Sequence, residues 1–165
     1  MLETRSERSA AAGTWQLRRV QLLARPRAEV FAFFADATNL ERITPPFLRF
    51  RILTPPPIHM REGTLIDYRL RLYGVSFRWR TRIDVWEPPF AFTDVQLLGP
   101  YRSWIHRHAF VEVPGGTEVH DLVDYALPLG PAGAVARRLF VRRRLERIFD
   151  FRAAEIARAL APLGR

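Results

Sequence analysis

The chain has 165 residues, 48% hydrophobic and 26% charged, which is the size and balance of one globular domain and not of a disordered or fibrous protein. It has no cysteine and its 26 basic side chains are all arginine. That excludes disulfides, thiolate nucleophiles, Cys-ligated zinc, iron–sulfur clusters, lysine Schiff bases, lysine-anchored pyridoxal phosphate and phosphate-loop lysines. The formal net charge of +9 favours anionic partners, and no apolar run approaches the roughly 18 residues needed to span a bilayer.

Met1 to Gly13 mixes two acids and two arginines with no apolar stretch, so it reads as a flexible tail and not a secretory signal. A cytoplasmic location is the corresponding expectation. Residues 14–165 read as a single domain. Thr14 to Ala24 predicts a first strand. Pro26 suits the first turn of a helix, where its missing N–H costs nothing. Val30, Phe33, Phe34 and Ala37 follow at helical spacing. Asn39 to Ile43 predicts a second short helix stopped by Pro45-Pro46, and Phe47 to Thr54 a short strand.

The middle of the chain alternates. Ile66, Tyr68, Leu70 and Leu72 share one side of a strand, as do Phe77, Trp79, Thr81, Ile83 and Val85 of the next. A two-residue Tyr73-Gly74 turn sets Leu70 opposite Phe77, Tyr68 opposite Trp79 and Ile66 opposite Thr81. The reverse side then carries Arg69, Arg71, Arg78, Arg80 and Arg82. Unpaired arginines cannot be buried cheaply, so one face is core and the other is water, as in an antiparallel sheet covered on one side.

Strands continue at Phe90 to Leu98, Tyr101 to Val113 and Thr117 to Leu127. A Gly115-Gly116 turn sets His106 opposite Tyr125, His108 opposite Val123, Phe110 opposite Asp121 and Trp104 opposite Leu127. A three-residue turn would reverse the parity and bring His120 and Asp124 to that face; the first register gathers the aromatics. Beyond Pro131 a helical pattern runs from about Ala132 to Leu163, with Val135, Leu139, Leu145, Ile148, Phe149, Ile156, Leu160 and Leu163 on its apolar side. The fold class is α+β, with about six to seven antiparallel strands and a long terminal helix.

This order resembles the SRPBCC superfamily, the helix-grip fold of START lipid-transfer domains, birch-pollen-type allergens, coenzyme Q-binding proteins and polyketide cyclase/dehydrases. The resemblance covers about Trp15 to Leu163. It is carried by Pro26-Arg27-Ala28-Glu29-Val30-Phe31 and by Asn39-Leu40-Glu41-Arg42-Ile43-Thr44-Pro45-Pro46. It continues through Phe92-x-Asp94-x-Gln96-x-x-Gly99-Pro100-Tyr101, Trp104-x-His106-x-His108-x-Phe110, and the strand from Gly116-Thr117 through Asp121 and Tyr125 to Pro128. The resemblance implies a curved sheet gripping the last helix with a cavity between them. Tyr68, Leu70, Phe77, Trp79, Phe92, Trp104, Phe110, Tyr125, Phe140 and Phe149 would then face that space or its rim. The implied ligand is a small hydrophobic molecule: a lipid, an isoprenoid quinone or an aromatic metabolite.

Asp94, Gln96, His106, His108, Asp121 and Tyr125 are polar positions on the inward face. Three roles are open to them: satisfying one another, binding a ligand's polar group, or acid–base chemistry. In the last case His106, His108, Asp121 and Tyr125 are the candidate catalytic residues of a cyclase or dehydratase, though the reading favours binding over catalysis. His106-x-His108 also has the spacing of a strand metal pair that Asp94 or Asp121 could complete, but no metal or cofactor is assigned. No G-x-S-x-G elbow, G-x-G-x-x-G loop or H-E-x-x-H helix is present. Arg137, Arg138, Arg142, Arg143, Arg144 and Arg147 crowd the terminal helix with Glu146 the only acid among them. Such a run is a solvated face or a contact with an anionic membrane surface. Specific nucleic-acid binding is disfavoured because the aromatics needed for stacking point inward.

Overall fold

Antiparallel pairing organises the chain. The computed structural model describes residues 2–8, 13–72, 74–128 and 140–161, with side chains from residue 13 onward. Among the described residues eight strands form one sheet: β1 (Leu2–Arg8), β2 (Trp15–Leu23), β3 (Arg51–Ile52), β4 (Leu65–Leu72), β5 (Val75–Glu87), β6 (Ala91–Leu98), β7 (Ser103–Val113) and β8 (Gly116–Ala126). Their order is β1-β2-β8-β7-β6-β5-β4-β3, so β3 to β8 form a meander and β2 closes onto its last strand. Between β2 and β3 lie α1 (Arg27–Ala35), α2 (Asn39–Arg42) and a 3₁₀ turn (Pro46–Leu48). The final helix is α3 (Arg142–Ala159). This is the helix-grip α+β architecture.

The β4–β5 register is the one read from alternation, with Leu70 opposite Phe77, Tyr68 opposite Trp79 and Asp67 opposite Arg80. Arg69, Arg71, Arg78, Arg80 and Arg82 are exposed on the outer face. Alternation fails further along β5. Asp84 is skipped between the Ile83–Asp94 and Val85–Thr93 pairs. This bulge turns Val85 outward and brings Trp86 in, against Phe31 at 5.2 Å and Phe92 at 5.7 Å.

Other expectations are corrected. Leu2–Arg8, read as tail, is an edge strand paired along its length with β2. The strand expected over Phe47 to Thr54 shrinks to Arg51–Ile52, because Pro46–Leu48 coils into a 3₁₀ turn and Arg49 takes a left-handed φ of 44°. The β7–β8 turn is Pro114-Gly115 and not Gly115-Gly116, since Val113 pairs with Gly116. Trp104 therefore faces Tyr125, His106 faces Val123, His108 faces Asp121 and Phe110 faces Val119. The shift is two residues, so every side chain keeps its face. The described part of the last helix runs from Arg142 to Ala159, about 27 Å at 1.5 Å per residue. Phe140, expected to face the cavity or its rim, is 58% exposed. The helical start expected near Ala132, with Val135, Arg137, Arg138 and Leu139, and the end at Leu163 lie outside the described residues.

The core sits between the inner sheet face and the helices. Leu145 and Phe149 of α3 pack on Leu17, Trp104, Val123 and Tyr125. Ile156, about two turns further along the same face of α3, meets Val30 and Phe31 of α1 together with Phe92, Phe110 and Val119. Phe31, absent from the predicted face of α1, is buried, and Phe33 and Phe34 are only partly covered. Each fully buried aliphatic or aromatic side chain contributes about 1.5–3 kcal/mol relative to exposure.

Candidate functional site

A cavity of about 210 Å³ remains between α3 and the inner face of β4–β7. Phe33, Phe34, Ala37, Leu40 and Ile43 of the α1–α2 region close one side. Leu48, Phe50 and Met60 close another, and Val141, just before α3, forms the roof with Leu145, Ile148 and Phe149 of that helix. The exposed Asp36 belongs to its rim. Geometry explains why the space stays unfilled: the sheet's aromatics lean on one another, Trp79 and Trp104 at 5.5 Å edge-to-face and Tyr101 and Trp104 at 4.8 Å, so they line the walls and leave the middle.

Nine of the thirteen residues expected around a ligand line this cavity: Tyr68, Leu70, Trp79, Phe92, Asp94, Trp104, His106, His108 and Phe149. Phe77, Gln96, Phe110 and Tyr125 do not. Gln96 is occupied with the backbone of Tyr101, donating to its carbonyl at 2.8 Å and accepting from its N–H at 3.4 Å. Phe110 is buried under Phe31 and Phe34. Tyr125 is 1% exposed, packed against Trp104 and Tyr101.

The polar end of the cavity is a four-membered ring of side chains. His106 and His108 project from β7 with ring centroids 3.8 Å apart. Asp94 stands opposite His106 on β6, and Asp121 stands opposite His108 on β8. Asp121 Oδ1 lies 3.2 Å from His106 Nε2, a hydrogen bond, and 2.6 Å from His108 Nδ1, an ion-pair contact off the line of a hydrogen bond. On the other side Asp94 Oδ2 lies 3.6 Å from His106 Nδ1 and 3.4 Å from His108 Nε2. Phe92 stacks on His108 at 4.1 Å and Phe149 meets His106 at 5.6 Å, so aromatic rings seal the pair.

Burial opposes charge on both imidazoles, with opposite outcomes. Burial and the neighbouring His108 hold His106 below the usual histidine range. Burial also works against His108, but Asp121 and then Asp94 outweigh it and raise its pKa. Burial alone would raise Asp121, yet the two imidazoles hold its carboxyl well below the usual range. The candidate catalytic quartet therefore divides. His106 and His108 reach the cavity, Asp121 backs them, and Tyr125 lies elsewhere in the core.

Several lining residues escaped the sequence reading. Phe33, Phe34, Leu40, Ile43 and Met60 come from the helices and the loop before β4, where no alternation marks an inner face. Arg144 and Arg152 of α3 also line the cavity; Arg144 lies over the Phe47 ring at 4.7 Å and Arg152 over Phe149 at 5.7 Å. Arg142 instead bonds Glu146 at 2.8 Å, and Arg143 and Arg147 are exposed.

An antiparallel sheet closed over by a helix, with an apolar cavity between, is the helix-grip arrangement of the SRPBCC superfamily, to which the chain belongs. Within it, the chain belongs to the family described as polyketide cyclase / dehydrase and lipid transport, which matches residues 23–151. No curated protein matches by sequence. Among solved structures, the Zhui aromatase/cyclase from Streptomyces sp. R1128 is similar at a TM-score of 0.70 with 16% identity, covering 89% of this chain and 93% of its own. Protein Ms6760 from Mycobacterium smegmatis is similar at 0.67 with 17% identity over 95% and 96% of the two chains. Ara h 8.0201 is similar at 0.59 with 15% identity over 87% and 98%. At these identities the likeness is one of fold.

Proposed function

We propose that the protein binds one small, largely apolar molecule between α3 and the sheet, its body against the aromatic walls and its polar group toward Asp94, His106 and His108. The observation that carries this is a mostly apolar cavity with Asp94, His106 and His108 together in its wall, the form small-molecule sites take. Its size narrows the ligand class. A dry cavity of roughly 150 Å³ takes up benzene, so about 210 Å³ suits one or two rings, such as an aromatic metabolite or a quinone head. A long lipid chain would have to leave through the rim.

Trp79 and Trp104 stand in the wall and report occupancy. Titration with naphthols and short-chain quinones is expected to quench their emission saturably. Ile148→Trp, which fills the roof, is expected to weaken that binding at least tenfold while the protein stays folded. A panel giving neither quenching nor a change in Tm would overturn the reading.

A second reading is favoured by one observation: two imidazoles with different proton affinities reach the same cavity. Such a pair suits acid–base chemistry of the cyclase or dehydratase kind, with His106 and His108 the exchanging groups and Tyr125 taking no part. Binding without turnover of any bound carbonyl compound favours the first reading.

The arginines support a further element, transient contact with an anionic membrane surface in the cytoplasm. Arg42, Arg49, Arg51, Arg69 and Arg71 line an outer groove that shares Thr44 and Phe50 with the cavity lining. A ligand could pass from a lipid surface held by that groove into the apolar space beside it.

A further inference from the structure

We propose that Asp94, His106 and His108 form a binding site for one divalent transition-metal ion at the polar end of the cavity, with Asp121 as the positioning residue behind the two imidazoles. The argument begins with counting protons. A neutral imidazole has one N–H and one lone pair. The two rings present four nitrogens, and each nitrogen faces a carboxylate oxygen. With the His106 N–H given to Asp121 and the His108 N–H on the Nδ1 beside the same carboxylate, two lone pairs and the Asp94 carboxylate face one another with no positive charge between them.

The two Asp94 distances fit ligands on a shared ion better than direct hydrogen bonds. Asp94 Oδ2 stands 3.6 and 3.4 Å from the two nitrogens that face it, beyond the 2.7–3.2 Å typical of N–H···O bonds. Ligands on a tetrahedral ion with bonds of about 2.0–2.1 Å lie about 3.3 Å apart. Ligand atoms of all three side chains lie within 4.8 Å of one another. The carboxylate behind both histidines matches the outer support that metal-bound imidazoles usually have. Imidazole nitrogen with one carboxylate suits zinc, iron, nickel or copper, not calcium or magnesium. The same three residues line the cavity, so an ion there could meet a ligand's oxygen and polarise it. The proposal deepens the binding reading by naming what occupies its polar end, but its test needs no organic ligand.

The chain is favourable for that test, because with no cysteine and four histidines it offers few competing sites. The full chain, stripped with a chelator, is titrated with Zn(II) by calorimetry and with Co(II) by visible absorption. One ion per chain is expected, with a Co(II) spectrum lacking any sulfur charge-transfer band. Asp94→Asn and His108→Gln should abolish saturable binding, and Asp121→Asn should weaken it about 10- to 100-fold. His59→Gln and His120→Gln should leave it unchanged; His120 pairs with Glu118 and is the competitor to exclude. Should the ligand variants fail to fold by circular dichroism, X-ray absorption on the loaded wild-type protein decides. Two imidazoles in the metal's shell support the site, and one or none overturns it. Absence of one-to-one binding by the folded wild-type chain, or binding lost with His120, also overturns it.

Discussion

Arg19 shows how a single side chain can defeat a reading by pattern. It occupies an inward position of β2, between Leu17 and Leu23, and is 4% exposed. Its Nη2 donates to the Glu146 carbonyl at 3.0 Å and its Nη1 lies 2.7 Å from Asp150 Oδ1, so α3 is tied to the sheet by charge as well as by apolar packing. The two partners are unequal: the arginine side chain is 5% exposed and the aspartate 59%. Losing Asp150 strands a buried cation, whereas losing Arg19 lets Asp150 turn to water. Asp150→Ala is therefore expected to destabilise by about 2 kcal/mol, and Arg19→Met to stay within about 1 kcal/mol of wild type. Urea unfolding of both variants checks the asymmetry, and equal losses would contradict it. An arginine in an apolar alternation reads as outward-facing, so nothing in the sequence marks this contact. The two histidines, by contrast, were legible: their i, i+2 spacing among Trp104 and Phe110 places all four on one face whichever even-numbered shift the pairing adopts.

At the level of strands and turns, alternation settled the faces and local chemistry settled the rest. The β4–β5 pairing could be read because both strands alternate cleanly up to their turn. Leu2–Arg8 could not, because an edge strand needs no apolar side for alternation to show. Nor could the skipped Asp84, since a bulge leaves no mark in hydropathy. The β7–β8 turn depends on backbone that only glycine adopts readily. Gly116 has φ +145°, and a Cβ there would lie 2.0 Å from the Leu23 carbonyl oxygen. Gly115 has φ +96° with open space around it. Gly116→Ala is expected to destabilise by about 3 kcal/mol, combining strain and a clash with backbone. Gly115→Ala should lose only about 1 kcal/mol, from conformation alone. Thermal unfolding measured on the pair distinguishes them, and similar losses would show that the contact with Leu23 is not what matters.

For the whole molecule, charge and cavity are arranged on connected surfaces. The groove of Arg42, Arg49, Arg51, Arg69 and Arg71 adjoins the apolar space through Thr44 and Phe50. If that groove meets lipid, Arg42→Ser, Arg49→Ser and Arg69→Ser combined should reduce sedimentation with phosphatidylserine vesicles by about 1 kcal/mol per arginine. Raised salt should act in the same direction, and equal sedimentation with neutral vesicles would rule the contact out. The cavity's existence followed from the family resemblance; its small volume did not, because it depends on how Phe33, Phe34 and Leu40 lean inward from the helices. The order of the sheet has a consequence for how the molecule is made. From β3 to β8 each strand pairs with the one just synthesised, so that part can assemble as it leaves the ribosome. β2 must wait for β8, about a hundred residues further on, since Trp15 pairs with Tyr125. Until then Leu17 and Leu23 stand uncovered, and β2, made long before its partner, is a segment in need of a chaperone's shelter.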